Sequence, residues 1–62
     1  MNTVRVIDNN THEVIAMEQT FDTTKAMVII VDRMKRKYTN GTVEFYYGEP
    51  NGKPITTERT FH

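Results

Sequence analysis

The feature that most constrains this fold is an imbalance between one predicted helix and two predicted hairpins. The helix is predicted over Thr23 to Tyr38, and the hairpin before it carries aliphatic side chains on both of its faces. One helix covers only one face of a sheet, so a second apolar face needs a different cover. In so short a chain, we expect that cover to be another macromolecule.

The chain has 62 residues, which is enough for one small domain. A domain of this size buries about 60% of its unfolded surface and is marginally stable alone. The sequence contains no cysteine, so disulfides and thiolate zinc sites are excluded. His12 lies in a predicted turn and His62 is the last residue, and neither has a second histidine near it, so no metal and no cofactor is predicted. Of the usual means of stabilising so small a domain, oligomerisation is the one that the sequence leaves open.

Two strands are predicted at the N-terminal end of the chain. Thr3 to Asp8 and Glu13 to Phe21 are rich in apolar residues, and a polar, turn-forming cluster separates them. These runs predict an antiparallel hairpin. Its loop length stays open, although His12 tolerates the left-handed conformation that would close a three-residue loop.

The loop length decides which side chains share a face of this hairpin. A three-residue loop places Ile7 opposite Ile15. One face then holds Ile7, Ile15, Met17 and Phe21, and the other face holds Val4, Val6, Val14 and Ala16. A four-residue loop instead groups Val4 and Val6 with Ile15 and Met17, and leaves Ile7, Val14 and Ala16 behind them. Both alternatives put aliphatic side chains on each face.

The predicted helix has recognisable ends and one apolar stripe. Asp22 or Thr23 can cap its first N–H groups, and Asn40–Gly41 predict its end with a left-handed residue. At about 100° per residue, Ile29 lies nearly opposite the core stripe. That stripe consists of Met27, Ile30, Val31, Met34 and Tyr38.

A second hairpin is predicted after the helix. Thr42 to Tyr47 alternates as a strand, and Gly52 takes the left-handed position of the turn that follows. This turn places Tyr47 opposite Ile55. It also places Glu44 opposite Glu58, which is tolerable only at a solvated surface. The helix is then expected to cover Ile15, Met17, Phe45, Tyr47 and Ile55.

Together these elements predict a single α+β domain over residues 1–62 with the order ββαββ. An antiparallel sheet of two hairpins carries one helix on one face. The strand order within the sheet stays open.

No catalytic constellation is present in the sequence. It contains no serine and no cysteine, and no threonine comes with a linked histidine and acid. The three glycines lie at predicted turns and do not form a phosphate-binding loop. The sequence therefore predicts a protein that is not an enzyme and has no small-molecule substrate.

The formal net charge is zero, but the predicted helix is basic towards its end. Cations there complement the helix dipole, which is a purely structural role. The alternative is a phosphate-contacting surface for a nucleic acid. Its candidate contacts are Lys25, Arg33, Arg36 and Lys37.

The main functional hypothesis is a protein–protein contact on the sheet face away from the helix. We expect this face to mediate self-association, as a homodimer, or binding of a protein partner. Its candidate residues are Val4, Val6, Val14, Ala16 and Tyr46. Ile29, with Arg33 and Arg36, is a candidate second surface for a different partner.

No apolar stretch approaches the roughly 20 residues that span a bilayer, so no membrane contact is predicted. Residues Met1 to Arg5 lack a signal-peptide layout, and we expect a cytoplasmic protein. In size and in lacking a catalytic set, the chain resembles the small accessory proteins of phages and mobile elements in bacteria. That resemblance implies an origin and no particular activity.

Overall fold

The computed structural model describes all of residues 1–62 and shows one four-stranded antiparallel sheet with one helix. The helix joins a π-helical segment, Lys25–Ile30, to the α-helix α1, Val31–Lys37. The sheet order is β2-β1-β3-β4, so β1 and β3 are central and β2 and β4 are edge strands. The strands are β1 (Asn2–Asp8), β2 (Val14–Thr20), β3 (Gly41–Tyr47) and β4 (Thr56–Arg59). The predicted α+β fold with the order ββαββ is confirmed.

The core lies between the helix and one face of the two central strands. β1 contributes Val4 and Val6, and β3 contributes Val43 and Phe45, each of them 1% exposed or less. The residues that complete the core are Ala26, Ile30, Val31 and Met34 from the helix, with Ala16 and Tyr38 at its margin. The prediction that Val4 and Val6 lie on the face away from the helix is therefore wrong.

The first hairpin turns through a four-residue loop, residues 9–12. Asp8 donates its backbone N–H to the carbonyl oxygen of Glu13 at 2.8 Å and accepts the N–H of His12 at 2.8 Å. His12 has a φ of 63°, so it adopts the left-handed conformation that the sequence left open. It closes a loop one residue longer than the one with which that conformation was associated.

A β-bulge changes the register within this hairpin. Next to the loop, Ile7 pairs with Val14, as a four-residue loop requires. Beyond the unpaired Ile15, Val6 pairs with Ala16, which is the register of a three-residue loop. Each of the two alternatives therefore holds for one part of the hairpin. Because of the bulge, Ala16 lies beside Val6 under the helix.

The register of the second hairpin differs from the prediction by one residue. Val43 pairs with Glu58 and Glu44 pairs with Thr57, so the two glutamates point to opposite faces. Glu58 faces the helix, where its carboxylate lies 2.7 Å from the ammonium of Lys35. This ion pair favours the observed register, and the expected repulsion between Glu44 and Glu58 does not arise.

The helix covers fewer strand residues than predicted. Of the five expected beneath it, Phe45 is in the core, whereas Ile15, Met17, Tyr47 and Ile55 are exposed. Tyr47 shares the face of Phe45 and meets its ring edge-on, with 5.2 Å between the ring centroids. It lies at the end of β3, where Asn2 of β1 is its partner on one side and no residue of β4 is paired to it on the other.

The helix begins as predicted but has a wider turn than an α-helix. Asp22 caps it by accepting the N–H of Lys25 at 3.0 Å. Within the π-helical segment, Val31 donates its N–H to the carbonyl oxygen of Ala26. This wider turn places Ala26 in the core position predicted for Met27, whose side chain is exposed.

The helix ends at Lys37, one residue before the predicted end. Tyr38 is extended, and Asn40 has the predicted left-handed conformation with a φ of 49°. Gly41 then enters β3 so close to β1 that a Cβ there would lie 2.9 Å from Val6 Cγ1. No helix of the fold is both long and apolar enough to cross a membrane.

Candidate interaction surfaces

Arg5, Glu44 and Tyr46 form a polar network on the sheet face away from the helix. Arg5 Nε donates to Glu44 Oε1 at 2.7 Å, and Arg5 Nη2 donates to Tyr46 Oη at 3.1 Å. The Tyr46 hydroxyl donates in turn to Glu44 Oε1 at 3.1 Å. The Arg5 guanidinium also lies over the Tyr46 ring, 5.1 Å from its centroid. The network therefore satisfies its own polar groups within the chain.

This network is shielded from water although the helix lies on the other face. Tyr46 is 3% exposed, and the side chains of Arg5 and Glu44 are 23% and 17% exposed. The hydrogen bond from Arg5 to Glu44, together with the Glu44 charge, raises the pKa of Arg5. Burial raises the pKa of Tyr46, and its bond to Glu44 raises it further. The centre of this face therefore holds a balanced ion pair and a neutral phenol.

The predicted interface residues do not form one surface. Val4 and Val6 are in the core, and Ala16 packs against its margin because of the bulge. Val14 is exposed at the start of β2, and Tyr46 lies on the predicted face but is buried in the polar network. The apolar surface predicted from these five residues is therefore wrong, and the centre of that face is polar.

The edge strand β2 carries the apolar surface that the prediction missed. Its exposed side chains include Val14, Ile15 and Met17, the last of which is 56% exposed. One side of its backbone has no strand partner, because β2 is the first strand in the sheet order. It contains neither the lysine nor the proline that protects many natural edge strands. Its one charged residue, Glu18, pairs with Arg33 of the helix.

The sequence gives one signal for this edge, which is the absence of lysine and proline from residues 14–20. That signal has a meaning only when the strand order is known, since a central strand has the same composition. The strand order depends on β1 pairing with β3, which are far apart in the chain. The exposed edge was therefore not predictable from local patterns.

A second apolar surface lies on the outer side of the π-helical segment. Ala26 and Ile30 are buried at either end of one turn, and the three residues between them point outward. These are Met27, Val28 and Ile29, all exposed. The predicted orientation of Ile29, away from the core, is confirmed.

The basic residues of the helix are partly neutralised by acids of the same chain. Arg33 pairs with Glu18, and Arg36 Nε lies 2.9 Å from Asp32 Oδ2. Lys37 holds its Nζ 5.5 Å from the centroid of the Tyr38 ring and has no ion pair. Of the four candidate nucleic-acid contacts, Lys25, Arg33, Arg36 and Lys37, two thus have carboxylate partners.

The structure shows no group of three or more histidine, aspartate or glutamate side chains that could hold a metal ion. His12 lies exposed in the first loop, and His62 is exposed at the C-terminal residue. The surface has no pocket. A scan against protein-family models found no match, and searches of curated proteins and of solved structures found no similar chain.

Proposed function

We propose that this protein is a non-enzymatic interaction module that acts by protein–protein contact and forms a homodimer through β2. The observation that supports this proposal most directly is the free, apolar edge of β2. Such an edge presents unpaired N–H and C=O groups to which another strand can bind. The proposal keeps the self-association expected from the sequence and moves the contact from the sheet face to the sheet edge.

A second copy is the partner that fits the size of the domain. The core consists of a cluster of eight buried residues, and domains of this size are often stabilised by oligomerisation. In a two-fold dimer both copies use the same surface, so β2 needs no other protein to cover it. A cysteine-free chain suits a reducing compartment, and we extend the proposal to a cytoplasmic location.

The other free edge, β4, fits this role less well. It has four residues, Thr56–Arg59, all polar, whereas β2 has seven. A longer strand offers more backbone hydrogen bonds, and the apolar side chains of β2 add burial that β4 lacks. The contact is therefore assigned to β2.

Nucleic-acid binding, the alternative function, has weaker support. A protein that neutralises phosphates needs free cations, and Arg33 and Arg36 already have carboxylate partners. The chain as a whole has no excess of positive charge. Retardation of DNA or RNA that weakens steeply with salt would favour this alternative over self-association.

Sedimentation equilibrium tests the proposal, with protein concentrations from about 10 µM to about 1 mM because interfaces of modest area are weak. The wild type is expected to change from monomer to dimer across this range. Met17→Lys places a charge at the centre of the free edge and is expected to raise the dissociation constant by at least about tenfold. Circular dichroism establishes that each variant remains folded.

Val28→Lys is the matched control. It adds the same charge at an exposed apolar residue that belongs to the π-helical segment and is not part of β2. Its dissociation constant is expected to equal that of the wild type. A wild type that is monomeric at about 1 mM would contradict self-association. A larger effect of Val28→Lys than of Met17→Lys would move the contact to the helix.

A further inference from the structure

We infer that β2 pairs antiparallel with β2 of a second copy about a two-fold axis through Met17. The two sheets then form one continuous eight-stranded sheet with both helices on the same side. This inference rests on the proposed self-association and specifies its register, which the proposal itself leaves undetermined. Three independent constraints support it, from symmetry, backbone hydrogen bonding and charge.

The first constraint is symmetry. A two-fold axis perpendicular to a sheet keeps each face on its own side, while successive side chains of a strand alternate between the faces. A residue of β2 can therefore pair only with itself or with a residue an even number of positions away. The axis must pass through a residue, and the central ones are Ala16, Met17 and Glu18.

The second constraint is the direction of the backbone groups. Asp8 donates its N–H towards the β2 side, to Glu13, and Asn9 donates its N–H towards the β3 side, to Asn40 at 3.0 Å. Because these directions alternate along a strand, Val4 and Val6 bond to β2. Their partners on β2 are Glu18 and Ala16, which therefore direct their own N–H and C=O groups at β1.

The residues between those partners consequently face the free edge. Met17 and Gln19 direct their N–H and C=O groups away from β1, whereas Ile15 is the unpaired residue of the bulge. With Met17 on the axis, Met17 bonds to Met17 of the second copy, and Gln19 lies opposite Ile15 of the second copy. This register pairs residues 15–19, and the bulge leaves Val14 outside it. An axis through Ala16 would leave Gln19, whose backbone also faces the free edge, without a partner in β2.

The third constraint is charge. Glu18 is the only charged residue of β2. An axis through Glu18 would put two carboxylates directly opposite each other, which is destabilising. An axis through Met17 puts Glu18 opposite Ala16 of the second copy, and each Glu18 keeps its ion pair with Arg33.

Cysteine cross-linking tests the register, because the natural chain has no cysteine and a single substitution gives one thiol per copy. In a hydrogen-bonded antiparallel pair the Cα atoms are about 5.5 Å apart, within the range that a disulfide spans. Met17→Cys on the axis is therefore expected to form a disulfide-linked dimer under mild oxidation. Its yield is expected to be at least about tenfold that of Gln19→Cys, whose two thiol-bearing positions would be about 14 Å apart.

A mixture of two variants provides the complementary measurement. Gln19→Cys and Ile15→Cys are opposite each other in this register, so the mixture is expected to cross-link as the heterodimer and each variant alone is not. A dimer by sedimentation in which Gln19→Cys links to itself and Met17→Cys does not would overturn the register and leave the proposed function intact. A wild type that sediments as a monomer at about 1 mM overturns both. Species larger than a dimer would indicate pairing of β2 with β4 and also overturn the inference.

Discussion

Val31 donates its backbone N–H to the carbonyl oxygen of Ala26, five residues before it. An α-helix would direct that bond to the residue four positions earlier, so this turn holds one extra residue. In an amphipathic α-helix, a core residue is followed by others three and four positions later. Here Ala26 is followed by Ile30 four positions later and by Val31 five positions later, so the spacing of the buried residues is also longer by one. The extra residue turns Ala26 into the core and leaves Met27 exposed.

Deleting Val28 is expected to convert the π-helical segment to α-helix and to keep the fold. The buried residues then acquire the i, i+3, i+4, i+7 spacing of an ordinary amphipathic helix. The expected change in the free energy of unfolding is within about 1 kcal/mol, read from urea denaturation followed by far-ultraviolet circular dichroism.

Deleting Asp32 is the matched control for this prediction. It removes a residue between Val31 and Met34, which already have α-helical spacing. Met34 is then rotated out of the core, and the domain is expected to unfold. Equal loss of structure in both deletions would contradict the role assigned to the π-helical turn.

Truncation is expected to destabilise the domain strongly at one of two adjacent isoleucines and hardly at all at the other. Ile30→Ala removes a side chain that is 1% exposed, at an expected cost of about 2–5 kcal/mol. A domain of this length has about 3–9 kcal/mol of stability, so this variant is expected to lose a large fraction of its free energy of unfolding. Ile29→Ala removes an exposed side chain and is expected to change stability by less than about 0.5 kcal/mol. Urea midpoints that fall equally in the two variants would contradict the assigned orientation of the helix.

The parts of the fold that local chemistry determines were predictable from the sequence. The cap at Asp22 and the left-handed residues Asn40 and Gly52 depend on a few neighbouring residues. The position of each element depends on its neighbours in the same way. Polar and glycine-containing turns separate the apolar runs, so the order ββαββ follows from the sequence alone. These predictions are confirmed because no distant contact competes with them.

The registers depend on contacts that the sequence pattern does not contain. The bulge at Ile15 lets the first hairpin satisfy its loop and still bring Ala16 under the helix. In the second hairpin, the ion pair between Lys35 and Glu58 joins residues from different elements. In the second hairpin, the shift of one residue moved Ile55 to the opposite face. In the first hairpin, Val4, Val6 and Ala16 share a face as one of the two predicted registers has it, and the error lay in the face that the helix covers.

The loop of the first hairpin is expected to lose stability at acid pH. The Asp8 carboxylate accepts the N–H groups of Thr11 and Asn10 at 3.0 and 2.7 Å, and these bonds lower the pKa of Asp8 from about 3.8. The folded state then binds the proton less readily than the unfolded state. The stabilisation is present above pH 4 and is lost as the pH falls through the lowered pKa.

Asp8→Ala is therefore expected to lower the urea midpoint at pH 7 and to match the wild type more closely as the pH falls below about 4. Asp8→Asn serves as the control, since it keeps an acceptor oxygen that does not titrate in this range. A difference between wild type and Asp8→Ala that stays constant from pH 7 to pH 3 would assign the effect to packing.

The hydroxyl of Tyr46 is expected to stabilise the polar network at neutral pH. Tyr46→Phe keeps the buried ring but removes the acceptor of Arg5 and the donor to Glu44, at an expected cost of about 0.5–1.5 kcal/mol. Because the folded state raises the pKa of Tyr46, it holds the phenolic proton more tightly than the unfolded state. The wild type is thus expected to lose stability relative to Tyr46→Phe as the pH rises above about 10.

Denaturation curves at pH 7 and at about pH 10.5 measure this difference. Glu44→Gln is a useful comparison, because it leaves the Arg5 guanidinium without its carboxylate and is expected to be more destabilising than Tyr46→Phe at pH 7. A Tyr46→Phe variant more stable than the wild type at pH 7 would show that the hydroxyl does not contribute through these bonds.

The central position of β1 and β3 also determines how the chain reaches this fold. Each hairpin is local in sequence, but the core strands come one from each hairpin, and Arg5 and Glu44, which pair across them, are 39 positions apart. Neither hairpin can bury Val6 or Phe45 until the segment between them has closed, and that closure costs chain entropy before any core contact forms. Folding is therefore expected to be slower than in helical bundles of the same length, with the joining of β1 to β3 beneath the helix as the slow step.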